Sequence, residues 1–165
     1  MSPLYQLNVT LHVLAALFWL GGMFFLAVVG APVLRKVEPP ALRAELFRKL
    51  GEGFRVAGWV SIGILLLTGV GNLHFRGLLD ADVLGSAAFW SQRYGRTLLW
   101  KLLAVAVMIG VSAVHDFWLG PKAGELTPGS PEALRARRAA AWLARINAVV
   151  GIVLVFVAVR LARGG

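Results

Sequence analysis

Leu11-His12-Val13-Leu14-Ala15-Ala16-Leu17-Phe18-Trp19-Leu20-Gly21-Gly22 is the stretch that decides the fold. It lies in a run without a charged residue from Met1 to Leu34, far longer than the roughly 20 residues with which a helix crosses a bilayer. His12 therefore sits in or at the edge of hydrocarbon, where an ionisable side chain is costly and marks a candidate functional residue. At helical spacing Asn8, His12, Ala15, Trp19 and Gly22 share one face, whereas Leu14, Leu17 and Leu20 lie mostly off it. A helix in lipid buries its polar stripe against protein, so His12 is expected to point into a bundle.

The composition agrees with a membrane protein: 58% of the 165 residues are hydrophobic and 15% charged. The formal charge of +9 comes without a basic cluster interleaved with exposed aromatics, which argues against a nucleic-acid partner. Cysteine is absent, which removes disulfides and thiolate metal sites. The first apolar run is too long for a secretory signal and lacks a basic n-region. The expected architecture is all-α: an integral-membrane antiparallel four-helix bundle forming a single transmembrane domain over 1–165. Its spans cover about 4–33, 56–75, 97–115 and 139–160, and a short amphipathic interfacial helix joins the first two.

Ser2-Pro3 reads as an N-cap followed by proline in the first turn. Beyond the first span, Arg35, Lys36, Arg43, Arg48, Lys49 and Arg55 crowd one loop, and Leu42, Leu46, Leu50 and Phe54 recur every four residues after Pro39-Pro40. That pattern predicts a short helix lying on the membrane surface. The second span is bracketed by Arg55 and Arg76, with Ser61, Leu65, Thr68 and Asn72 on its polar face and Gly69 and Gly71 allowing close approach. His74 ends it, roughly 140° around the helix from that stripe.

Trp90 and Tyr94 suit an interfacial aromatic belt before the third span. Lys101 lies inside that span, embedded or snorkelling, and Lys101, Val105, Met108, Ser112 and His115 form one stripe. The breaker cluster Thr127-Pro128-Gly129-Ser130-Pro131 precedes the last helix, with Ser130 as N-cap and Glu132 in its first turn. Asn147, Gly151, Leu154 and Ala158 make its expected inner face, and Asp116 and Arg145 are a natural ion pair at the inner end. The loops after the first and third spans hold 11 Lys/Arg against six elsewhere, which places both termini outside and the two basic loops in the cytoplasm.

Leu11-His12 with Trp19-Leu20-Gly21-Gly22, then Leu67-Thr68-Gly69-Val70, then Tyr94-Gly95-Arg96-Thr97-Leu98-Leu99-Trp100-Lys101-Leu102, together resemble the copper-resistance D (CopD) family of bacterial membrane proteins. That resemblance implies copper passage or handling across the inner membrane, with a periplasmic copper-binding or electron-transfer partner. An early His in the first helix and a Lys opening the third are also similar to the four-helix membrane protoporphyrinogen oxidases. On that likeness His12 and Lys101 would be porphyrin- or haem-site residues.

Three functions follow, of different kinds. The leading expectation is b-type haem, or a porphyrin, held in the outer half of the bundle for electron transfer or porphyrin chemistry. His12 would be its axial ligand and His74 the second, if the last turn of the second span unwinds. Trp19 would line the slot, and Lys101, Arg96 and Arg93 would meet the propionates. A deprotonated Lys101 is the other candidate ligand. The alternative is copper, for which Met23, Met108 and His115 are the softer ligands. The third is an assembly subunit without a cofactor. Each residue also has a plainer role: His12 hydrogen-bonding Asn72 or a backbone carbonyl, Lys101 snorkelling, the methionines packing the core. No residue is assigned to catalysis.

Overall fold

Backbone in hydrocarbon must satisfy its own hydrogen bonds, and the chain meets that demand with helices alone among its described residues. The computed structural model describes residues 2–126 and 130–165. Thr127, Pro128 and Gly129 of the expected breaker cluster fall outside them. In chain order the elements are α1 (Pro3–Phe25), a π-helical turn (Leu26–Gly30), α2 (Ala31–Leu34), α3 (Pro40–Phe75), α4 (Ala81–Leu84), α5 (Ala87–Ser91), α6 (Arg93–Ala113), a second π-helical turn (Val114–Leu119), α7 (Gly120–Glu125) and α8 (Pro131–Ala162). Four continuous helical stretches are long and apolar enough to cross a membrane: Pro3–Leu34, Pro40–Phe75, Arg93–Lys122 and Pro131–Ala162. The chain divides into two units, Met1–Leu84 and Gly85–Gly165, each a helical hairpin.

The helix starts follow their cap chemistry. Ser2 Oγ accepts from the Tyr5 amide at 3.3 Å and Ser130 Oγ from the Ala133 amide at 3.1 Å, each with proline just inside the helix. Both π turns precede a proline, Pro32 and Pro121. Proline offers no N–H to the carbonyl four residues back and its ring crowds that carbonyl. A wider turn placed just before it relieves the conflict without ending the helix.

One expectation is corrected here. The predicted interfacial helix is not a separate element: it forms the first turns of α3, which runs unbroken for 36 residues from Pro40. No proline follows Pro40 in this stretch, and the exposed pairs Lys49–Glu45 (2.8 Å) and Arg48–Glu52 (3.0 Å) sit at i, i+4 within its charged first turns. Such a helix is about 54 Å long, well beyond a hydrocarbon core of about 30 Å, so its charged first turns project past the apolar part.

In the first unit α1 packs antiparallel on α3, and the predicted stripes meet. Ala15 and Trp19 on α1 are buried, as are Gly58, Ser61, Ile62 and Thr68 on α3. Trp19 lies against Gly58, where an added Cβ would stand 3.7 Å from the indole, and Gly22 lies under the Phe54 ring. Leu7, Leu11, Leu14 and Leu17 remain exposed on the outer face of α1, an arrangement that suits lipid. In the second unit α6 packs antiparallel on α8. Met108 and Ser112 on α6, with Asn147 and Gly151 on α8, form its buried seam.

Candidate functional site

Four polar side chains, Asn8 and His12 on α1 with Thr68 and Asn72 on α3, knit the two helices together. Asn8 Nδ2 donates to the Thr68 carbonyl at 3.0 Å and to Asn72 Oδ1 at 3.1 Å. His12 Nδ1 lies 2.7 Å from Thr68 Oγ1, and Thr68 Oγ1 lies 2.6 Å from the Ile64 carbonyl. A hydroxyl has one proton, and a carbonyl can only accept, so the Thr68 proton goes to Ile64. His12 Nδ1 must then be the donor to Thr68. In the neutral ring this places the lone pair on Nε2, the form in which imidazole binds a metal, with the other ring nitrogen held by a hydrogen bond.

Glycines make this geometry reachable. A Cβ on Gly69 would stand 3.9 Å from His12 Cε1, so the ring edge lies over bare backbone. A Cβ on Gly71 would come within 2.5 Å of Asn8 Oδ1, closer than real Cβ contacts allow. Asn8 thus reaches Thr68 and Asn72 because Gly71 leaves it room.

The expected partner of His12 was Asn72 or a backbone carbonyl; the structure supplies Thr68, and Asn72 pairs with Asn8 instead. The proposed second ligand does not join the stripe. His74 is exposed, set edge-on to Phe75 with ring centroids 5.7 Å apart. The last turn of α3 does not unwind, because a glycine cap fixes it. Gly77 has φ +65°, its amide donates to the His74 carbonyl at 2.9 Å, and the Leu78 amide donates to the Leu73 carbonyl at 2.9 Å. Met23 is half-buried one residue past Gly22.

The second unit carries the other candidates. Lys101 is half-buried on α6, while Arg93 and Arg96 are exposed in its first turns. Met108 is 3% exposed and packs in the seam. His115 Nδ1 lies 2.7 Å from Asp116 Oδ1, a contact between chain neighbours inside the second π turn. Arg145, expected beside Asp116, stacks on Trp142 with its guanidinium carbon 5.3 Å from the ring centre. Asn147 Nδ2 donates to Ser112 Oγ at 2.8 Å, and Asn147 Oδ1 is buried without a hydrogen-bond partner. Among the described residues no three His, Asp or Glu side chains gather as a metal-binding group.

A family model described as Copper resistance protein D matches residues 48–161, more than two-thirds of the chain. This chain belongs to that family of membrane proteins. A protein of Aquifex aeolicus (strain VF5), described only as an uncharacterized protein, is 31% identical over 160 residues, covering 96% of each chain. No solved structure matches. The family match begins within α3, so Thr68, Lys101, Met108 and His115 lie inside it and His12 lies before it. The family favours copper over haem b.

Proposed function

We propose that this protein binds and handles copper within the membrane, with His12 Nε2 as the principal ligand. The observation that carries the reading is the relay His12–Thr68–Ile64, which sets the imidazole tautomer and fixes its ring before any metal arrives. Copper accepts neutral imidazole readily, and a half-buried ring lowers the number of competing waters. Met23, Met108 and His115 are the further soft or borderline donors along the two hairpins, and the copper is cargo rather than a fixed prosthetic group. The Lys/Arg imbalance supports an orientation with both termini outside, which reporter fusions at either end check. A periplasmic partner that delivers or receives the metal fits that orientation.

The test is copper binding by purified protein in detergent, monitored with Cu(I) and a competing chelator. His12→Ala should abolish or greatly weaken binding. Unchanged affinity in that variant ends the assignment. The visible spectrum of the same preparation decides between copper and haem b: a Soret band lost on His12→Ala would transfer the site to a porphyrin, and a colourless protein that binds copper would retain it for the metal.

A further inference from the structure

At the end of the second hairpin where α6 begins and α8 finishes, Arg93, Arg96, Thr97 and Trp100 face Phe156, Val157 and Arg160 across a groove of about 370 Å³. Its two halves differ in chemistry. Trp100 and Phe156 are 66% and 68% exposed and form an apolar wall. The guanidinium-bearing residues Arg93, Arg96 and Arg160 line the same groove. No Asp or Glu occurs in 85–115 or in 133–165, so no acidic side chain of either long helix balances them. The acidic residues of this unit, Asp116, Glu125 and Glu132, belong to the opposite end of the hairpin, with Asp116 about 30 Å along the helix axis from Arg96. Gly165 packs on the backbone of Arg93 and Tyr94 and covers the start of α6. Its carboxylate sets one negative charge against three guanidiniums, so this end keeps an excess of positive charge, carried by the arginine side chains.

We infer that this groove binds one anionic phospholipid, its phosphodiester held by Arg93, Arg96 and Arg160 and its acyl chain laid along Trp100 and Phe156. The arginines bound the apolar stretches of α6 and α8 and so mark the level of the headgroups. Planar guanidiniums match phosphate oxygens in pairs, and basic pockets between membrane helices recruit anionic headgroups. A free phosphate would satisfy the arginines but leave the aromatic wall bare, which is why the lipid is the better fit. The site is independent of the proposed copper ligands.

The whole chain in detergent is titrated with short-chain phosphatidylglycerol or phosphatidylcholine, and bound lipid is counted by native mass spectrometry. One phosphatidylglycerol should bind about tenfold more tightly than phosphatidylcholine, which carries the same phosphodiester but brings a choline cation up to the three arginines, and excess inorganic phosphate should not displace it. Arg93→Gln/Arg96→Gln/Arg160→Gln should erase the preference while copper binding persists, the latter also showing that the variant is folded. Arg135→Gln/Arg137→Gln/Arg138→Gln, an equal charge change at the other end, should keep it. Equal affinity for the two lipids overturns the inference whatever the variants do. Displacement by inorganic phosphate assigns the groove to a free anion, and loss in the control variant reduces the preference to net charge; either result also overturns it.

Discussion

The two hairpins solve the same packing problem with different means. In the first, each polar or aromatic residue of the α1 stripe meets a matching feature of α3: Asn8 meets Gly71, Thr68 and Asn72, His12 meets Thr68 and Gly69, and Trp19 meets Gly58. In the second hairpin the buried seam is tied by Asn147 to Ser112, which leaves the Asn147 carbonyl oxygen over. Its histidine is tied to Asp116, its own chain neighbour. Contacts 56 to 64 residues apart in the chain place His12 and its surroundings, so the fold itself fixes that ring. His115 is oriented locally, and folding adds little to its position. A side chain held in place by the fold belongs to the first unit.

The sharpest way to break this contrast is Thr68→Val. Valine keeps the shape and removes the acceptor for His12 Nδ1, so the ring loses its fixed tautomer while Nε2 itself is untouched. Loss of such an outer partner weakens metal binding by roughly 10–100-fold, and chelator competition should show a fall of that order. Met108→Leu with His115→Ala in the second unit should produce a smaller loss than Thr68→Val. A larger loss there would move the principal site to the second hairpin.

A second prediction sharpens the packing half of the comparison. Gly71→Ala forces a methyl group onto the Asn8 carboxamide and should cost about 1–3 kcal/mol, the usual range for overpacking. Gly63 lies on the same helix with nothing within 4 Å of the position its Cβ would take. Gly63→Ala should be neutral or stabilise by about 0.5–1 kcal/mol, because alanine is the better helix former. Thermal unfolding in detergent, followed by circular dichroism, compares the two.

Much of this was legible in the sequence, for a physical reason. Polar residues are scarce in a membrane span, so the few present (Asn8, His12, Ser61, Thr68, Asn72) mark the inward face through the helical period alone. Period assigns faces, but it does not set the axial register of one helix against another. That is why Thr68 rather than Asn72 was missed as the partner of His12. The exposed position of His74 was legible too, since Arg76-Gly77 is a helix stop that holds the final turn in register. A ligand role for His74 required that turn to unwind, against that signal. The unbroken joint inside α3 was obscured by the shift from charged to apolar composition near Arg55, a change of surroundings and not of backbone. The arginine groove needed the structure, because Arg93 and Arg160 are 67 residues apart in the chain and only the antiparallel packing brings them to one end.

The smallest net change is expected for a double variant at the leftover oxygen of the second unit. Ser112→Ala removes the acceptor of Asn147 Nδ2 and leaves a buried carboxamide with neither end paired, which should cost about 1–3 kcal/mol. Asn147→Leu on top of it replaces the amide by an apolar side chain of similar size and removes the stranded donor and acceptor together. The double variant should therefore recover most of the loss and unfold within about 1 kcal/mol of the parent. The same logic applied to the first unit predicts no such recovery, because Asn8 bonds to a backbone carbonyl as well as to Asn72, and the Thr68 carbonyl cannot be mutated away. A double variant as unstable as Ser112→Ala alone would mean that Asn147 is held by something beyond Ser112, and the two hairpins would then be more alike than their hydrogen bonds indicate.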